Sequence, residues 1–165
     1  MPQYPKDLKI KRIRNQVIIP LKTKNMKSIN ILLVEDNEGD ILLTTEAFEE
    51  SKIVNKINVI RNGEEAINFF KELDNSDLHP DLVLLDINLP KISGHEVLMF
   101  IKNSEKFKSI PVIMLTTSSS EKDILLSYRN YVNCYITKPI DVSDFMKAIT
   151  KIEDFWINIV SIPVN

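Results

Sequence analysis

The chain has 165 residues, 44% of them hydrophobic, enough to bury one core of single-domain size and too apolar for a disordered segment. No apolar run approaches the roughly eighteen residues of a membrane-spanning helix, no secretory signal opens the chain, and the lone Cys134 excludes an internal disulfide and argues against zinc. The net charge is −2; residues 1–28 hold eight Lys or Arg against Asp7, a net of +7, so the remainder, with 13 basic and 22 acidic residues, carries −9 and is not a nucleic-acid binder through its general field.

In chain order, residues 1–28 mix Pro2, Pro5 and Pro20 with the basic cluster Lys9-Ile10-Lys11-Arg12-Ile13-Arg14 and one short apolar piece, Val17-Ile18-Ile19. They are expected to form a poorly ordered arm, either a solvated leader or the result of a start upstream of Met26, rather than a polybasic contact with membrane or nucleic acid. From residue 29 the pattern turns regular. Ile31-Leu32-Leu33-Val34 is expected as a buried strand, and Asp36 or Asn37 as the cap of a helix over 38–51 with a stripe of Leu42, Leu43, Thr45, Ala47 and Phe48. A second strand is expected over 56–60, then the Asn62-Gly63 turn and a helix over 64–73, then a polar loop over 74–80. The third strand, 82–86, runs through Val83-Leu84-Leu85 to Asp86, and its loop reaches Gly94 before a helix carrying Val97, Leu98, Phe100 and Ile101. Pro111 opens a fourth strand over 112–115. Thr116 to Ser120 leads to a helix from Glu121 with Ile124, Leu125, Leu126 and Tyr128. The fifth strand is expected over 134–137, and after Lys138-Pro139 a last helix over 143–155. The tail, 156–165, carries Trp156, Ile157, Ile159 and Val160, which either cover the domain's own core or build a homodimer face.

Five apolar strands alternating with five helices argue for an α/β fold, a parallel sheet covered by helices on both faces. In such open sheets ligands bind beyond the carboxyl ends of the strands. Those ends carry Glu35-Asp36, Asp86, Thr116 and Lys138-Pro139. Singly, each has an ordinary structural reading as a cap, a turn residue, a strand residue or a surface cation. Jointly they describe a site. Three carboxylates in one pocket repel and raise one another's pKa unless a cation holds them; Lys138 offsets part of the charge, and a hard divalent ion such as Mg²⁺ accepts oxygen ligands while leaving positions for phosphate. Asp86 is then placed for nucleophilic attack on a phosphoryl group, with Lys138 and Thr116 contacting its oxygens.

Taken together, Val34-Glu35-Asp36-Asn37, Asp86-Ile87-Asn88-Leu89-Pro90 with Gly94, Thr116-Thr117-Ser118 and Tyr135-Ile136-Thr137-Lys138-Pro139 resemble the receiver domain of two-component response regulators over residues 29–155. The resemblance implies a flavodoxin-like three-layer fold with strand order 2-1-3-4-5. It implies Asp86 as phospho-acceptor from a histidine kinase, Mg²⁺ held by Asp36, Asp86 and the carbonyl of Asn88 with Glu35 acting through water, and a cis Lys138–Pro139 bond. Thr116 and Tyr135 would form the switch, read on the face of helix four, strand five and helix five. Asn88 and Ser118 sit where the family modulates self-dephosphorylation, and Thr117 stands where many receivers carry a small residue, narrowing access to Asp86. Neither His79 nor His95 is expected to have a matching partner or to be a relay histidine. The asparagine after Glu35-Asp36, the Thr-Thr-Ser run and Cys134-Tyr135-Ile136 are most similar to stand-alone regulators that partner phytochrome-type kinases; the protein's only enzymatic activity would be on its own phosphoryl group, and output would go through protein contacts. The competing readings are a haloacid-dehalogenase-like Mg²⁺-dependent phosphatase, which wants an Asp where Asn88 stands; a flavodoxin, whose phosphate Glu35-Asp36 would repel; and an unphosphorylated receiver-like scaffold.

Overall fold

The computed structural model describes residues 29–50, 55–73 and 79–159, and the backbone of 11–13 and 16–18; for residues 55 and 157–159 the backbone alone is described. Five parallel strands, β1 (Ile29–Val34), β2 (Asn55–Ile60), β3 (Leu82–Leu85), β4 (Val112–Thr116) and β5 (Cys134–Thr137), form one sheet in the order β2-β1-β3-β4-β5. The intervening helices are α1 (Glu38–Glu49), α2 (Gly63–Glu72), α3 (Gly94–Asn103), α4 (Glu121–Arg129) and α5 (Val142–Glu153). This is the flavodoxin-like order that the family resemblance implies. In the N-terminal arm, Lys11–Ile13 pairs antiparallel with Gln16–Ile18; the remainder of the expected arm lies outside the described residues, as do the tail beyond Ile159 and most of the polar loop after α2.

Alternation of side chains along the pleated strands divides the core in two. Leu32, Val34, Val83, Leu85, Val112 and Met114 face Ala66 and Phe70 of α2 and Val97, Leu98 and Ile101 of α3. Ile31, Leu33, Leu82, Leu84, Ile113 and Leu115 face Ile41, Ala47 and Phe48 of α1 and Phe145, Ile149 and Ile152 of α5. With both faces covered, β3 has no exposed position, which is why it reads as an unbroken apolar run.

Two helices bury a different stripe from the one expected. In α1 the buried residues are Ile41, Thr44, Ala47 and Phe48, while Leu42 is 56% exposed; spacings of three, three and one keep those four on one side of a 3.6-residue helix, and Leu42 falls outside it. In α4 the buried side chain is Ser127, and Leu125 and Tyr128 are exposed. Beyond α5 the backbone continues through a six-residue π-turn, Asp154–Ile159, and Trp156 packs against the cluster beneath α1 and α5. Trp156 thus covers the domain's own core. Caps are local and specific: Asn37, not Asp36, caps α1 by accepting from the Asp40 N–H, and Ser93 and Glu96 form a reciprocal capping box at α3. Ser93→Ala is expected to lower stability by about 1 kcal/mol, measurable by urea denaturation.

Candidate functional site

Register builds the site. Val34 pairs with Leu85, and the ladder runs one rung further, because the Asp86 N–H donates to the Val34 carbonyl at 3.0 Å and the Glu35 N–H to the Ile60 carbonyl at 2.9 Å. The first polar residues beyond two adjacent buried strands therefore stand side by side at the carboxyl rim. Beyond Asp86 the chain turns back at once: the Ile87 carbonyl accepts from the N–H groups of Leu89 and Gly94, at 3.0 and 2.9 Å. Gly94 lies so close beneath this loop that a β-carbon there would sit 1.9 Å from the Asp86 carbonyl oxygen. Glycine is required here by contact with backbone rather than by its own torsion angles.

Oxygen atoms of Glu35, Asp36 and Asp86 lie within 4.8 Å of one another. Glu35 and Asp86 are buried, at 2% and 6% exposure, and Asp36 is exposed. Lys138, delivered by β5 with its N–H donating to the Thr116 carbonyl at 2.7 Å, is 7% exposed. Its ammonium nitrogen lies 2.5 Å from Glu35 Oε2, 2.8 Å from Asp40 Oδ2 and 3.5 Å from Asp86 Oδ2. Asp86 Oδ1 accepts from the Ile87 N–H at 2.7 Å, and Glu35 Oε1 from the Asn37 N–H at 3.1 Å. One cation is thus shared among three carboxylates in a largely buried pocket, and a fourth, Asp36, stands at its mouth. The ordinary readings of Glu35 as a solvated acid and Lys138 as a surface cation do not survive this burial.

The electrostatics follow. Burial pulls the Lys138 ammonium down, but its hydrogen bonds to Asp40 and Glu35 and the charges of Glu35 and Asp86 outweigh that, so it is held above the usual lysine range. Burial pushes the Glu35 carboxyl up; Lys138 opposes this and the Asp86 charge adds to it, leaving Glu35 raised. The two shifts have different leading causes, burial for Glu35 and the surrounding carboxylates for Lys138, and together they describe a pocket with more negative charge than its one lysine offsets. Such a hard-oxygen donor set with uncompensated charge fits a divalent cation of the Mg²⁺ type.

The Lys138–Pro139 bond is trans, as are all described peptide bonds, which corrects the expected cis isomer. Aiming Lys138 inward does not require it, because the backbone bond to Thr116 and the carboxylates already fix the side chain. Asp40 was missed from the sequence as a site residue; its spacing of four from Asp36, across the start of α1, was the available signal.

The other expected residues lie around this centre. Thr116 is fully buried, and its Oγ1 accepts from the Ser118 N–H at 3.3 Å. Tyr135 is half-buried against the core, its hydroxyl donating to the Ser118 carbonyl at 2.9 Å; burial raises its pKa, with the Asp123 and Asp86 charges adding to the rise against that bond. Asn88 and Thr117 are exposed, and Pro139 is half-buried. His95 does have partners, against expectation: Nε2 lies 3.3 Å from Asp123 Oδ1 and Nδ1 3.5 Å from Ser127 Oγ. Asp123 also accepts from Ser118 Oγ at 2.5 Å, and that bond, with lesser help from His95, holds its carboxyl below the usual range. His95 on α3 and Asp123 on α4 are 28 residues apart, so no sequence spacing announces the pair.

The structure is thus a doubly covered parallel α/β domain with an acidic pocket and an inward lysine at the carboxyl rim of its sheet. Residues 31–150 match the response regulator receiver domain, and the chain belongs to that family. Response regulator Rcp1 of Synechocystis sp. is 43% identical over 136 residues, covering 81% of this chain and 92% of that protein. The methanogenesis regulatory protein FilR2 of Methanothrix harundinacea, so named as probable, is 40% identical over 77% of this chain and 83% of its own length. Among solved structures, the phosphorylated cyanobacterial phytochrome response regulator RcpA superposes with a TM-score of 0.80 at 41% identity, covering 84% of this chain and 100% of that one. The Mn²⁺-bound form of Rcp1 gives 0.78 at 42% identity, covering 82% and 99%. Family membership weighs against the phosphatase and flavodoxin readings. Among the described residues no helix is long and apolar enough to cross a membrane.

Proposed function

We propose that this chain is a cytoplasmic response regulator, with residues 29–155 as its receiver and residues 1–28 as an arm outside it, that accepts a phosphoryl group on Asp86 from a histidine kinase and signals through protein contacts. The observation that carries the reading is the buried Lys138 ammonium shared among Glu35, Asp40 and Asp86, beside a carboxylate trio whose oxygens approach within 4.8 Å. In the transfer, a carboxylate oxygen of Asp86 forms a bond to phosphorus as the phosphorus–nitrogen bond of the donor phosphohistidine breaks, and the imidazole leaves with that electron pair. Lys138 neutralises charge on the incoming oxygens, and Thr116 offers its hydroxyl from the end of the adjacent strand. Glu35, Asp36, Asp86 and the Asn88 carbonyl would hold Mg²⁺, which when bound supplies charge neutralisation at the transferring oxygens.

Tyr135 and Thr116 form the switch in this reading. The output surface is the face of α4, β5 and α5, where Leu125, Tyr128, Tyr131, Ile140 and Val142 are exposed large apolar side chains. A phytochrome-type kinase is the proposed donor, supported by likeness to a phytochrome response regulator over 84% of this chain. With Mg²⁺ and acetyl phosphate, the protein is expected to gain one acid-stable, base-labile phosphoryl group by intact-mass analysis. No uptake from acetyl phosphate, phosphoramidate or a phosphorylated kinase would leave the scaffold reading in its place.

A further inference from the structure

Ser118 is the point where the two switch residues meet. Its N–H donates to Thr116 Oγ1 at 3.3 Å, and its carbonyl accepts from the Tyr135 hydroxyl at 2.9 Å. Its own hydroxyl is taken by Asp123 Oδ2 at 2.5 Å, and the other oxygen of Asp123 faces His95 Nε2 at 3.3 Å. His95 is only 8% exposed and is held from behind by the fully buried Ser127 at 3.5 Å. With a proton on Nε2 the ring donates to Asp123, while Nδ1 faces the Ser127 hydroxyl. His95 also follows Gly94, the residue pressed against the Asp86 carbonyl. A continuous chain of contacts therefore runs from beneath the Asp86 loop, across α3 and α4, to the carbonyl that receives Tyr135.

We propose that His95 and Asp123 are positioning residues that hold Ser118 so that its carbonyl captures the Tyr135 hydroxyl, and thereby set how far the switch lies inward. The physical reason is preorganisation. Ser118 lies in a loop, and a loop carbonyl captures a hydroxyl efficiently only if its own orientation is fixed beforehand. The bond from Ser118 Oγ to a carboxylate is charge-assisted and therefore among the stronger ones available for fixing it. His95 in turn limits the directions that carboxylate can take. The proposal rests on reading Tyr135 as the switch residue, and it adds two residues that strand-end motifs do not include.

The test labels the four tyrosines of the chain with 3-fluorotyrosine and assigns the Tyr135 resonance by Tyr135→Phe. In His95→Leu and Asp123→Ala the inward population of Tyr135 is expected to fall by about tenfold, moving its resonance toward those of exposed Tyr128 and Tyr131. His95→Gln, whose amide can still donate to Asp123, is expected to stay near wild type, a distinction that loss of packing would not make. The double variant His95→Leu/Asp123→Ala should do no more than either single change, since both cut one link. Asp123 is partly exposed, so its variants keep the measurement available if His95→Leu does not fold. An unmoved Tyr135 resonance in folded Asp123→Ala, or equal effects of Leu and Gln at position 95, overturns the proposal. Rates of phosphorylation by acetyl phosphate, read in parallel, should fall with the inward population. If the wild type takes up no phosphoryl group while the fluorine shifts appear, the proposed function fails and the positioning role stands.

Discussion

Asp86→Asn is expected to abolish phosphoryl uptake from acetyl phosphate and from a phosphorylated kinase, and at the same time to raise the stability of the metal-free protein. The first effect is loss of the proposed nucleophile: an amide oxygen does not form the acyl phosphate that a carboxylate does. The second follows from the site's charge. Asp86 is 6% exposed, and its carboxylate lies within 4.8 Å of those of Glu35 and Asp36, so neutralising it removes repulsion at a largely buried position. Asparagine can keep the bond from the Ile87 N–H through its amide oxygen, and Lys138 keeps its closer partners, Glu35 and Asp40. A gain of about 1–2 kcal/mol is expected in urea denaturation without Mg²⁺, shrinking when Mg²⁺ is added because the wild type alone then gains a full set of ligands. A variant that is less stable than wild type without metal would show that Asp86 is held by more than its neighbours' charges.

Lys138→Met is expected to be the most damaging single change at the site. It leaves Glu35 and Asp86 buried without the cation they share, and removing one partner from a buried ion pair costs about 3–5 kcal/mol. Phosphotransfer should fall steeply as well, since the proposed transfer places the phosphoryl oxygens against this charge. The loss carries a pH signature with a definite sign. Burial raises the Glu35 carboxyl above its ordinary value of 4.5, and Lys138 supplies two of the influences that oppose the rise. A group raised in the folded state contributes stability that is fully present below its unfolded pKa and is lost as pH rises through the folded one. Without Lys138 the rise is larger, so the variant should regain stability as pH falls from neutrality toward 4.5 relative to wild type. Urea midpoints across that range, with and without Mg²⁺, measure it. A pH-independent deficit would point to lost packing alone.

Much of the site was legible in the chain because its residues sit immediately after buried strands. Parallel register converts that sequence position into spatial adjacency: once Val34 pairs with Leu85, Glu35 and Asp86 must share a rim. The same logic brought Thr116 and Lys138 into view, one strand further along each time. Helix faces were harder. The stripe of α1 was misplaced at Leu42 because Ile41-Leu42-Leu43 offers three apolar residues in a row, and periodicity within a short helix does not choose among them.

The sequence by itself determined the fold class and the four strand ends that carry Asp86, Glu35-Asp36, Thr116 and Lys138, because apolar runs and the turns that end them are local properties of the chain; the strand order came only through the family resemblance. Only the tertiary structure decided that Lys138 is shared with Asp40, that its peptide bond to Pro139 is trans, and that Trp156 closes over the domain's own core. It alone joined His95 to Asp123 and Ser118, since contacts between separate helices depend on how those helices pack, which no spacing along the chain encodes.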